Sequence, residues 1–198
     1  QVEIDLCGHA TLASGFIISK FVDKSAARVA LIAKSGPLSV GIEGDWLKMD
    51  FPARPPVATI IPTGLAEALW SKILEAHQSR DLLLLLPSRK AVAELKPDFA
   101  ALSRFTDCLG FIATAPGDGE EDFVSRFFAP NAGIPEDPVT GSSHCTLVPV
   151  WAARLGRNEM SARQLSRRGG LLGLVNQGQR VLIRGRARLY LDGFIYTG

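Results

Sequence analysis

Asp137-Pro138-Val139-Thr140-Gly141-Ser142-Ser143 runs directly into His144-Cys145-Thr146-Leu147-Val148-Pro149-Val150-Trp151. An extended stretch turns through a glycine into a segment that is apolar nearly all round. A helix with no polar stripe belongs at the centre of a fold and not on its surface. The same succession stands near the start of the chain. Val2 to Leu6 alternates apolar and acidic residues, as a half-buried strand does. Cys7-Gly8-His9-Ala10-Thr11 then leads into Leu12-Ala13-Ser14-Gly15-Phe16-Ile17-Ile18, again without a polar stripe. Two central helices, each entered through a glycine turn after an extended segment, read as halves of a pseudo-repeat.

Working outward, Arg28 to Ala33, Leu38 to Ile42 and Trp46 to Phe51 read as short strands between the turn signals Ser35-Gly36-Pro37 and Glu43-Gly44-Asp45. Pro52 to Pro62 carries four prolines in eleven residues and reads as a connector between two lobes. Leu65, Leu69, Ile73 and Ala76 stand at helical spacing, with Glu67, Lys72 and Glu75 elsewhere on the wheel, so Leu65 to His77 reads as an amphipathic surface helix. Asp81 to Pro87 reads as a buried strand, Asp98 to Phe105 as a short helix, and Gly110 to Ala115 and Asp122 to Ala129 as strands. Strands over Arg180 to Arg184 and Ala187 to Tyr196 close the chain. The expected fold class is α+β, with two pseudo-symmetric lobes. Residues 1–53 form the first, incomplete lobe and residues 54–186 the second; the closing strand within 187–198 could return to the first.

Composition narrows the function. In 198 residues the formal net charge is only +2, which gives no electrostatic reason to expect a nucleic-acid partner. The one basic cluster, Arg163 through Arg168, is short and interrupted, and reads as a solvated or substrate-adjacent segment. Cys7, Cys108 and Cys145 are an odd count with no CxxC, which points to reduced thiols in the cytoplasm. No apolar run approaches the roughly 18 residues of a spanning helix, so neither membrane insertion nor a membrane partner is expected. The chain begins inside strand-like sequence without a methionine, and we read it as lacking a leading piece of its first lobe.

Chemistry is expected at the two glycine turns. The first amides of a helix lack intrahelical partners and carry the positive end of the dipole, and glycine lets a ligand approach the backbone. Cys7-Gly8-His9-Ala10-Thr11 and Thr140-Gly141-Ser142-Ser143 are therefore two candidate anion sites that could grip one carboxylated substrate. His9 can donate or accept a proton near neutrality, or can simply bond the local backbone. Asp137 can cap a helix or face a ligand, and Ser142 is divided in the same way. Symmetric two-thiol racemase chemistry is disfavoured, because Thr140 occupies the place in the second turn that Cys7 holds in the first. A zinc site from Cys7, His9, His144 and Cys145 is disfavoured, since adjacent residues on a helix point about 100° apart. No GxSxG, GxGxxG or Walker loop is present, so neither a nucleophile elbow nor a nucleotide cofactor has support.

The strand leading to Cys7-Gly8-His9-Ala10-Thr11 resembles the first signature of the PhzF-like phenazine-biosynthesis proteins. Ser125-Arg126-Phe127-Phe128-Ala129-Pro130, Gly133 to Ser142 and Arg163 to Gly170 resemble three later ones, in the right order along nearly the whole chain. The resemblance implies a diaminopimelate epimerase-like fold, with two lobes of curved mixed sheet, each around one central helix, and a site in the cleft between them. It implies an isomerase that moves a proton on a small amino- or hydroxy-carboxylate, without metal or organic cofactor, and usually a homodimer. Carried over by position, His9, Asp137 and Ser142 are the catalytic candidates, and Gly8, Ala10, Gly141 and Ser143 the substrate-binding ones. Asp137 would accept from the substrate's ammonium, His9 would relay or position the proton, and Ser142 with nearby amides would hold the carboxylate. The principal base of the family is a glutamate upstream of the Cys-Gly-His motif, a place that has no counterpart from Gln1 onward. Two competing readings remain: a non-catalytic small-molecule-binding or interaction protein on the same scaffold, and a one-thiol racemase using Cys7.

Overall fold

The computed structural model describes residues 6–194 and residue 196; the strand read over Val2 to Leu6 lies outside the described residues except for Leu6, which is buried. The architecture is α+β. Strands β1 (Arg28–Ala33), β2 (Gly36–Glu43) and β3 (Trp46–Pro52) form an antiparallel meander, turning at Gly36 and Gly44, both at positive φ. In β3, Leu47, Met49 and Phe51 are buried while the residues between them are half-exposed, which is the period of two that covers one face of a sheet. The remaining strands are β4 (Val57–Thr59), β5 (Glu75–Gln78), β6 (Leu82–Leu85), β7 (Phe111–Pro116), β8 (Phe123–Phe128), β9 (Glu159–Gln164), β10 (Gly170–Asn176) and β11 (Arg180–Gly185). All eleven join one mixed sheet in the order β1-β2-β3-β11-β10-β9-β8-β7-β6-β5-β4.

Two parallel pairs, β6 with β7 and β8 with β9, decide what covers the sheet, since parallel neighbours require a long crossover. The first crossover carries the short helices α3 (Arg89–Ala93) and α4 (Phe99–Leu102), which join α2 (Leu65–Leu69) on one face. The second carries α5 (Gly141–Leu155) across the other face. Strands β6 to β8 are therefore buried on both sides. Leu83, Leu85, Ile112, Phe123 and Phe127 face the α5 side, whereas Leu82, Leu84, Phe111, Ala113, Val124 and Phe128 face the α2–α4 side. This explains why Leu82 to Leu86 can be apolar without alternation.

Helix α5 meets the sequence expectation of a central helix: ten of its fifteen residues are buried. Trp151 stacks on Phe123 at 5.2 Å, and its Nε1–H donates to Thr114 Oγ1 at 3.0 Å. Pro149 inside the helix has no N–H for the carbonyl four residues back, Cys145. That carbonyl instead accepts from the backbone N–H of Arg54 at 2.8 Å, which ties the proline-rich connector to the helix. Gly156, at φ +66°, ends the helix.

His144 lies wholly inside α5's surroundings. Its Nδ1–H donates to the Thr140 carbonyl at 2.8 Å, which leaves Nε2 a buried acceptor with no partner among the described residues. Burial holds the imidazole pKa down at about 4, against the opposing bond to Thr140. A histidine depressed in the folded state is neutral in both states above its ordinary pKa near 6.5, so stability is complete there. Between pH 6.5 and 4 only the unfolded chain takes the proton, and stability falls as pH falls, by on the order of 3 kcal/mol in total. Urea unfolding at stepped pH will show this slope in the wild type and its loss in His144→Gln; an identical slope in both would rule out a neutral buried imidazole.

Several sequence expectations change. Helix α1 (Gly8–Ile17) continues as a π-helical turn over Ile18–Val22, and it is not buried all round. Gly8, Thr11 and Gly15 are buried against the sheet and α5, while Ala13, Ser14 and Ile17 are exposed. The helix read over Leu65 to His77 stops at Leu69, because Trp70 takes the left-handed conformation at φ 54°. Residues Glu75–Gln78 then form β5, where Ala76 pairs with Leu84. All four apolar residues of the supposed helix are buried, but Leu65 and Leu69 lie on α2, Ala76 on β5 and Ile73 in the connection between them. The connector contains a three-residue edge strand, β4. Strands β9 and β10 and helix α3 have no counterpart in the sequence reading. The closing strand over Ala187 to Tyr196 is not formed: residues 187–194 and 196 carry no strand.

Candidate active site

The starts of α1 and α5 touch backbone to backbone. A Cβ on Gly8 would lie 2.7 Å from Gly141 Cα, and one on Gly141 would lie 2.9 Å from Gly8 Cα, closer than side-chain carbons come to other atoms. Only two glycines allow this approach. Neither helix start carries a side-chain cap: Cys7 and Thr140 hold the N-cap positions in extended conformation and bond none of the following amides. No acidic residue occupies either first turn. Two uncapped, dipole-positive helix starts therefore stand side by side.

They open on one cleft of about 520 Å³, its mouth included, bordered by Cys7, Gly8, His9, Arg80, Asp137, Thr140, Gly141 and Ser142 over an apolar floor that includes Phe127 and Ile134. Five of the sequence candidates, His9, Asp137, Ser142, Gly8 and Gly141, are thus brought together across more than 130 residues of chain. Two are not. Ala10 is exposed one step beyond the cleft, and Ser143 is buried with its hydroxyl donating to the Thr140 carbonyl at 2.8 Å.

Asp137 does not cap α5. One carboxylate oxygen, Oδ2, accepts a short hydrogen bond from the Thr140 hydroxyl, and Oδ1 accepts none from the described residues. It is the one carboxylate among the described residues lining the cleft. Its loop is held from three sides. The fully buried Gln164 on β9 donates Nε2–H to the Asp137 carbonyl at 2.6 Å and accepts from the Thr140 N–H at 2.8 Å. Ser166 donates to the Pro138 carbonyl at 2.6 Å. Arg126 grips Glu136 with both arms, at 2.6 and 3.0 Å, and donates to the Leu95 carbonyl at 2.9 Å. The segment Arg163 through Arg168, read from sequence as a basic cluster, thus braces the aspartate loop through Gln164 and Ser166.

On the α1 side, Cys7, the residue of the one-thiol reading, has its Sγ 3.4 Å from His9 Nε2. The Cys7 carbonyl accepts from the Thr11 hydroxyl at 2.7 Å, fixing the turn. At Cys108, just outside the cleft, burial, and then the negative charge of Asp81, push the thiol up to about 11, away from the thiolate form.

The sequence reading missed Arg80. It sits in the turn between β5 and β6, lines the cleft, and donates from Nη2 to Ser142 Oγ at 3.1 Å. The same guanidinium pairs with Asp81, which has no exposed surface, at 2.8 Å. The one available signal was an adjacent Arg-Asp ahead of an unbroken run of leucines, a charge placed where a buried strand begins. Among the described residues, no group of three or more His, Cys, Asp or Glu side chains is arranged to hold a metal ion.

The chain matches the family model for phenazine biosynthesis-like proteins, PhzC-PhzF, over residues 1–193. It is 45% identical over 196 residues to a Pseudomonas aeruginosa protein named as an uncharacterized isomerase, covering 99% of this chain and 75% of that one. It is 34% identical over 210 residues to the human phenazine biosynthesis-like domain-containing protein, covering 96% and 73%. The crystal structure of a PhzF-family protein from Enterococcus faecalis superposes with a TM-score of 0.93 at 42% identity, over 98% of this chain and 75% of that chain.

Proposed function

The chain belongs to the PhzC-PhzF family of phenazine biosynthesis-like proteins, and we propose that it acts as an isomerase that moves a proton on a small amino- or hydroxy-carboxylate held in this cleft. The observation that carries the reading is the meeting of two uncapped helix starts, at Gly8 and Gly141, in the same cleft as His9, Asp137 and Ser142. Unpartnered amides at the positive end of a helix favour a carboxylate. Asp137 lines the cleft, and its Oδ1 accepts no hydrogen bond from the described residues, which leaves it able to accept from an ammonium or hydroxyl of the substrate.

In this reading the proton leaves one carbon and returns to another through a positioned acid–base group. That group is the glutamate which the family resemblance sets ahead of Cys7-Gly8-His9, with His9 relaying or orienting the moving proton. The chemistry draws on side chains and backbone amides alone. The competing reading, a non-catalytic binding protein on the same scaffold, is favoured by one observation: Asp137 is the one carboxylate lining the cleft among the described residues, and Thr140 already engages it.

The proposed isomerase needs a carboxylate at the helix starts. Titration with 2-aminobenzoate, a ring bearing the two expected groups, should move the backbone amide resonances of Gly8, His9, Gly141 and Ser142 and leave those of Val57–Thr59 unmoved. Shifts confined to other surfaces would remove the cleft as the binding site.

A further inference from the structure

We infer that Arg80 is the residue that makes this cleft select a carboxylate over its uncharged equivalents, acting by its charge and by setting the direction of the Ser142 hydroxyl. The inference rests on the proposed anion-binding role of the cleft and adds a residue that the motifs do not contain. Arg80 is the one Lys or Arg side chain lining the cleft among the described residues. A guanidinium keeps its charge at every working pH, which an imidazole does not.

Its position is fixed from behind. Asp81, wholly buried, receives Nη2–H at 2.8 Å and Nε–H at 3.3 Å, so the planar fork cannot swing away without breaking its bonds to a buried carboxylate. The backbone is fixed too, since the Arg80 carbonyl accepts the Leu109 N–H at 3.1 Å. From that anchored fork Nη2 donates to Ser142 Oγ at 3.1 Å. A serine oxygen that accepts there must point its own hydrogen elsewhere, and that hydrogen has no acceptor among the described residues. The hydroxyl is thereby set as a donor toward the cleft, beside the free amides at the start of α5. A carboxylate oxygen is the acceptor best suited to such a group of donors and to the cation behind them. An amide in its place would bring an N–H against the same donors and lose the charge.

The test compares 2-aminobenzoate with 2-aminobenzamide, which share a shape and differ in charge, by calorimetric titration of the full-length protein. The wild type should bind the carboxylate more tightly by about tenfold or more, the scale of a charge-assisted hydrogen bond. Arg80→Gln alone removes the cation bonded to the buried Asp81 carboxylate, so the paired variant Arg80→Gln/Asp81→Asn is measured beside it. Both should lower the ratio severalfold, toward the residual preference that the helix-start amides supply, and Ser142→Ala should lower it. A role confined to neutralising Asp81 would change both affinities together and leave the ratio intact. A ratio kept in the paired variant, or unchanged in Ser142→Ala, overturns the inference while leaving the cleft as the anion site. No preference in the wild type overturns both.

Discussion

On the proposed isomerase reading, Asp137→Asn will lower kcat/KM by about 10- to 100-fold, with little change in thermal stability. The size follows from removing a charged acceptor from a bound ammonium or hydroxyl, a loss of about 1.5–3 kcal/mol in the transition state. The fold should tolerate the change for a structural reason. The asparagine oxygen can still accept from the Thr140 hydroxyl, and the bonds that fix the loop, from Gln164 to the Asp137 carbonyl and from the Asp137 N–H to the Phe127 carbonyl, are made by the backbone. Steady-state kinetics and thermal unfolding on the same preparation separate the two effects. Unchanged turnover would remove Asp137 from the substrate's surroundings.

Trp151→Ala will destabilise the protein by about 3–5 kcal/mol, the usual cost of emptying a large aromatic site in a core. The ring is 3% exposed, stacks parallel to Phe123, and spans from α5 to β7 through its bond to Thr114. Thr114 passes its own hydrogen to the Val124 carbonyl at 2.7 Å, so the indole completes a buried chain of two bonds. Trp151→Phe keeps most of the volume and loses the N–H, and should cost only about 1 kcal/mol. Urea unfolding midpoints check both. A loss below about 1 kcal/mol for the alanine variant would mean that α5 is not the packing centre of the sheet.

How much of this was legible beforehand depends on where the deciding contact lies. Gly141–Leu155 could be read as a central helix because its partners all demand the same thing, an apolar surface in every direction. The three strands β1 to β3 could be read because the glycine turns between them, and the period of two in β3, are local. Leu65 to His77 misled because its apolar residues fit a helix repeat, while the backbone reversal at Trp70 and the pairing of Ala76 with Leu84 come from tertiary context. Ala187 to Tyr196 alternates as a strand does, but strand pairing also needs an available edge, and residues 187–194 and 196 pair with none among the described residues. Helix α1 was apolar enough to be central, yet Ala13, Ser14 and Ile17 lie exposed.

At the site, His9, Asp137, Ser142, Gly8 and Gly141 were legible because each sits within a few residues of a helix start. Arg80 was not, since its link to Ser142 joins residues 62 apart in sequence. Gln164 was hidden for a similar reason: nothing local distinguishes a glutamine whose amide braces a loop on another element. Glycines 8 and 141 gain their meaning only together, as two backbones that meet.

The most direct test is deuterium uptake. The full-length protein is incubated in D2O with a panel of small cyclic amino- and hydroxy-carboxylates, and each recovered compound is weighed by mass spectrometry. Proton transfer in the cleft predicts incorporation of solvent deuterium at carbon in at least one compound that also binds, with the uptake strongly reduced in Asp137→Asn. Binding at Gly8 and Gly141 with no incorporation into any bound compound would contradict an isomerase and leave a binding protein on the same scaffold.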